Sequence, residues 1–109
     1  MNVDRILKST LLSLGVPVER LKYGGKAKTF ITYQLVVGRD IHFSDDENEA
    51  EEYTYRVDIY SKSDYIALLR RLKKALKEAG FFGIVIDPEV YEGDTGYYHV
   101  PVEIKYMEV

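Results

Sequence analysis

The 109-residue sequence contains no cysteine. Disulfides, thiolate metal sites and cysteine nucleophiles are therefore excluded, which suits a reducing compartment. Tryptophan is also absent, and prolines number only three. No apolar run approaches the roughly 20 residues that a membrane-spanning helix needs. After Met1-Asn2 the apolar residues are spaced helically rather than clustered, so no secretion signal is expected. Charge of one sign is scarce as well. With 15 basic and 18 acidic residues the net charge is -3, too mild to demand a nucleic-acid or membrane partner.

The motifs of familiar chemistries are missing together. There is no paired-histidine zinc helix, no serine nucleophile elbow, no glycine loop ending in GK[ST] and no dinucleotide fingerprint. His42 and His99 have no third ligand at metal-binding spacing. Asp58, Asp87 and Asp94 are isolated carboxylates on strands and turns, where solvation is the ordinary fate. No catalytic, cofactor or metal site is expected, and the chain reads as one that works through its surface.

Hydrophobic residues at 46% and charged residues at 30% give a globular composition of single-domain size, read here as residues 1–109. Val3, Ile6, Leu7, Thr10, Leu11 and Leu14 recur at three- and four-residue spacing, which predicts a helix from Val3 to Leu14. Gly15 and Pro17 stop it, and the stretch from Val16 to Lys28 reads as a connecting loop. Thr29 to Gly38 is dense in β-branched and aromatic residues, and Glu52 to Tyr60 alternates, with Tyr53, Tyr55, Val57 and Ile59 on one face. A long connection, Arg39 to Glu51, is expected between these strands. Tyr65, Leu68, Leu69, Leu72, Leu76 and Ala79 form the apolar stripe of a second helix, capped by Ser61 or Ser63 with Asp64 in its first turn and closed by Gly80. Ile84 to Glu92 reads as a strand interrupted around Asp87-Pro88. Tyr97 to Met107 reads as the last strand, with Tyr98, Val100, Val102, Ile104 and Tyr106 on its core face. Pro101 lacks a ladder donor and marks this strand as an edge or irregular. The expected architecture is α+β, in the order α-β-β-α-β-β: a four-stranded, mainly antiparallel sheet with two helices packed on one face.

Three features are left for function. The acidic run from Asp45 to Glu52 holds six of the 18 acidic residues, leaving 12 acidic against 15 basic elsewhere, a net of +3. It lacks the glycine of a calcium loop. In isolation it is a solvated, self-repelling segment; against a basic partner it orders. Arg70, Lys73, Lys74 and Lys77 supply such a surface on the polar side of the second helix, so one subunit's acidic residues can meet its neighbour's helix. Ten tyrosines form the third feature. Tyr33, Tyr60, Tyr91 and Tyr97 have no place in the predicted core face, and tyrosine is enriched where surfaces dock. The candidate protein-interaction residues are Asp45, Asp46, Glu47, Glu49, Glu51, Arg70, Lys73, Lys74, Lys77 and Tyr97.

About 80 residues resemble small tail-completion, or tail terminator, proteins of phages and prophages of Gram-positive bacteria. The resemblance lies in ITYQLV (31–36), EYTYRVDIYSKSDY (52–65), RRLKKALKEAGF (70–81) and YEGDTGYYHVPVEIKY (91–106). It implies a structural role without a cofactor, in the virion tail after assembly in the bacterial cytoplasm. The implied partners are the tail-tube protein and head-tail connector proteins. The implied assembly is a hexameric ring that caps the tube, ends its polymerisation and helps join tail to head. Pro101 departs from any scheme in which the last strand extends a sheet across subunits. The alternative class is a small bacterial regulatory or nucleic-acid-binding α+β module using the basic helix face. A salt-dependent shift of labelled DNA or RNA, lost in Lys73→Glu/Lys74→Glu, would mark it.

Overall fold

A computed structural model describes residues 2–42 and 49–109. Its elements run α1 (Val3–Leu12), β1 (Val18–Arg20), β2 (Thr29–His42), β3 (Glu49–Ser61), α2 (Ile66–Glu78), β4 (Phe82–Ile86), β5 (Val90–Glu92) and β6 (Tyr97–Glu108). All six strands form one mixed sheet in the order β1-β2-β3-β6-β4, with β5 also paired to β6. The class is α+β as expected, but the sheet has six strands rather than four. β1 pairs parallel with β2, and every other pairing is antiparallel.

The long strands β2, β3 and β6 set the core. Their registers align Ile31 with Ile59 and Val100, Tyr33 with Val57 and Val102, and Leu35 with Tyr55 and Ile104. Successive side chains alternate across the pleat, so these three rows share one face. Val3, Leu7 and Leu11 of α1 and Leu68, Leu72 and Leu76 of α2 pack on that face in a single cluster. The two apolar stripes thus cover the sheet side by side. α1 begins under an Asn2 cap, whose side chain accepts from the Arg5 amide, and ends at Leu12 rather than Leu14. Leu14 remains buried because Gly15, at φ 81°, turns the chain back over the core.

Several expectations are corrected. The stretch from Val16 to Lys28 is not wholly loop: Val18–Arg20 adds a short parallel strand, stitched by Leu21 N–H to Tyr33 O. Neither is Arg39 to Glu51 wholly a connection, since β2 continues to His42 and β3 starts at Glu49. The backbone ladder runs on through that polar extension to His42 opposite Glu49, with Arg39 3.8 Å from the Glu52 carboxylate. Neither serine caps α2 directly. The Asp64 carboxylate accepts from the Ile66 amide, while Ser61 Oγ takes the Ser63 amide and lies 3.0 Å from Thr29 Oγ1. The strand expected from Ile84 to Glu92 begins earlier, at Phe82, and the interruption expected around Asp87-Pro88 is present and divides it into two strands.

The largest correction concerns Pro101, because β6 is interior, between β3 on one side and β4 and β5 on the other. The Pro101 carbonyl accepts from the Asp87 amide at 2.9 Å, so it points towards the β4 side. A strand residue's N and O point the same way. The missing N–H therefore falls at the break between β4 and β5, where no ladder donor is needed.

Leu72 is fully buried and Leu12 half exposed on neighbouring helices. Leu72→Ala should cost about 2–5 kcal/mol in chemical denaturation, and Leu12→Ala a small fraction of that. Equal losses would contradict the helix faces described.

Candidate protein-interaction surface

The sheet extends past its helices at one end. There the β2–β3 hairpin and the end of β6 stack three carboxylates across three strands, with Asp40 opposite Glu51 and Glu51 opposite Glu108. Parity places this row on the helix-facing side, in line with Tyr53 and Tyr106. Like charges placed directly opposite one another repel. The Tyr53 hydroxyl donates to Glu51. That bond first, then burial and the charges of Glu51, Glu108 and Asp40, push its pKa up to about 12. Of the sequence-predicted acidic residues, Glu49 and Glu51 start β3 at this end. Asp45, Asp46 and Glu47 lie outside the described residues.

Arg70, Lys73, Lys74 and Lys77 line the outer side of α2, opposite Leu68, Leu72 and Leu76. All except the partly covered Lys73 are exposed. Among the described residues no ion pair joins them to Glu49 or Glu51. The acidic end belongs to β2 and β3, whereas α2 packs towards β4, so one chain keeps the two apart.

Tyr97 is engaged within the chain. Its hydroxyl donates to the Ala27 carbonyl at 2.7 Å, its ring meets Phe30 and Tyr60 edge-on, and Lys62 Nζ sits 4.9 Å from its centroid. Together with Tyr23, stacked on Phe30, it pins residues 23–28 over the sheet face away from the helices. Tyr33 is core, whereas Tyr98 is not: it is partly exposed beside Tyr65 and Tyr91.

Sequence reading missed a part-buried polar cluster around the buried Asp58 on the same far face. Asp58 is not a solvated carboxylate. It accepts from Arg56 Nε at 2.9 Å and lies 2.7 Å from His99 Nε2, under a stack of Tyr60 on His99. Glu92 approaches the other ring nitrogen at 3.7 Å. The available signal was positional: Arg56 and Asp58 share a face, and His99 lies on the neighbouring strand opposite Tyr60. Among the described residues, no group of three or more His, Cys, Asp or Glu side chains is placed to hold a metal ion. No helix among them is long and apolar enough to cross a membrane.

The fold belongs to the class of α+β domains with two helices on one side of a mixed sheet. A chain in the solved virion of a native gene transfer agent particle shares it, at a TM-score of 0.53 and 13% identity, over 97% of this chain and 90% of that one. No protein-family model matches the chain. No curated protein matches it either.

Two measurements follow. Asp58→Ala leaves His99 and Arg56 without their carboxylate and should cost about 1–3 kcal/mol in urea denaturation, with Asp58→Asn milder; no change would show the cluster to be energetically idle. Burial, then the Asp4 charge, pushes Tyr55 up to about 12 from 10. Above pH 10 the unfolded chain releases this proton while the folded chain keeps it. The stability present below pH 10 should therefore fall between 10 and 12. Tyr55→Phe should make that fall shallower, and an unaltered slope would refute the assignment.

Proposed function

We propose that this chain is a structural protein of a phage or prophage tail. In this reading it is a tail terminator, which caps the tube, ends its polymerisation and helps join tail to head. The observation that carries the reading is the likeness in fold, over nearly the whole chain, to a component of a virion particle. The order of sequence motifs supports it independently, from the strand at 52–60 through the basic helix to the Tyr97-Tyr98-His99 strand.

The surface suits a role made of contacts. Exposed apolar side chains lie near both sides of the sheet, at Leu35, Val36 and Val37 of β2, beyond the reach of the short β1, and at Phe82, Val85 and Ile86 of the outer strand β4. On the far face Arg56, Asp58, His99 and Glu92 hold one another. In this role the chain performs no catalysis, and its partners are tail-tube and connector proteins together with further copies of itself.

Electron microscopy of particles assembled without this gene tests the reading. Tubes of uncontrolled length that fail to join heads are expected. Tails of normal length that still accept heads would remove the terminator assignment.

A further inference from the structure

The two edges of the sheet match each other. β1 covers the outer side of β2 only over Ile31–Tyr33, and Gln34 onwards has no strand partner there among the described residues. At the opposite edge β4 has β6 on one side and, among the described residues, no strand on the other. Natural sheets seldom leave an apolar edge open without a partner for it.

The registers fix the heights of these edges. Val37 lies opposite Thr54, Thr54 opposite Lys105, and Lys105 opposite Phe82. Gln34 connects in the same way through Arg56 and Glu103 to Val85. The open part of β2 and the strand β4 therefore stand at one level, at opposite ends of the same rows. Val37 and Phe82, 40% and 41% exposed, are the two ends of a single row. The directions agree as well. β2 and β4 run opposite ways, so turning a second copy about an axis along the strands sets its β4 antiparallel to the first copy's β2. Both helix layers then stay on one side.

Charge points to the same occupant. Asp40 and Glu51 lie beside the β2 edge on the helix-facing side. The short link through Gly80 and Phe81 makes α2 antiparallel to β4 and puts Lys74 and Lys77, in its last turns, at the hairpin end. A neighbour docked by its β4 edge would bring these lysines towards the acidic row.

We propose that copies of this chain join head to tail, β4 of one against residues 34–37 of β2 in the next, with Lys74 and Lys77 set over Asp40 and Glu51. Such a contact is heterologous. With no offset along the strands, its repetition closes a ring rather than winding a filament. Each edge also carries a bulge, between Leu35 and Val37 and between Phe82 and Val85, where Gly83 adopts φ 59°. The shared ladder is therefore short and the isolated chain associates weakly. The inference supplies the ring of the proposed tail role, yet its test uses purified chain alone, so it can fail while the tail-length experiment succeeds.

The absence of native cysteine gives a clean background for disulfide trapping. Val37→Cys and Phe82→Cys are placed in one chain or in separate chains, and oxidised at high concentration. Within a chain the two positions are three strand spacings apart, roughly 14 Å, too far to bridge. The double variant should yield a covalent series beyond the dimer. An equimolar mixture of the single variants should stop at dimers, and each single variant alone should stay monomeric. Single variants that link to themselves as readily as to each other would overturn the proposal, as would a folded double variant that stays monomeric. In native mass spectrometry, Asp40→Lys/Glu51→Lys and Lys74→Glu/Lys77→Glu should each lose self-association and recover it on mixing. Retained association in either charge variant would remove the ionic part of the contact.

Discussion

The continuous antiparallel pairing of β2, β3 and β6 is the constraint on which everything else rests. It aligns the buried rows Ile31–Ile59–Val100 and Tyr33–Val57–Val102 on one face, and two amphipathic helices must then cover that face. A slip of one residue in either ladder would turn these side chains to the other side. The same register fixes the opposite face, bringing Tyr60 against His99 and His99 within reach of Asp58. One alignment thus sets the core, the ionic cluster beneath the aromatic lid and the acidic row at the hairpin end.

Elements with strong periodicity were legible in the sequence. Leu68, Leu72 and Leu76 repeat every four residues, and Tyr55, Val57 and Ile59 alternate; their burial follows directly. Features that depend on a distant partner were not legible. Val18–Arg20 is too short to show a period and becomes a strand only because β2 offers it a parallel edge. The polar end of β2, Arg39 to His42, holds one apolar residue, Ile41, too few to show a period, and its strand form depends on the ladder it makes with residues 49–52 of β3. Pro101 misled because a missing donor argues for an edge only when that side of the strand is paired at that position. Here the chain breaks its neighbour at Asp87-Pro88-Glu89 to accommodate it.

The candidate surface divides in the same way. The basic face of α2 follows from helical spacing alone. The Asp40–Glu51–Glu108 row requires knowing which residues face each other across two ladders, because the three are distant in sequence. Tyr97 shows the converse. Its surplus of aromatic surface suggested docking, yet the chain spends it on its own segment at Ala27.

The proposed ring would have to form only where it is needed, which sets opposed demands. Long, flat, apolar edges would self-assemble prematurely, whereas well-covered ones would never assemble. This sheet lies between those extremes. β1 covers part of β2, and a bulge interrupts the open remainder. β4 is only five residues long and is itself bulged. Few backbone bonds are left to make at each proposed contact, so a single pairwise encounter would be short-lived. Closure changes the balance, because the last contact of a ring forms within one assembly and no longer loses the translational freedom of a free partner. Irregular edges of this kind favour a closed ring, above all one gathered on a template, over open chains of the same molecules.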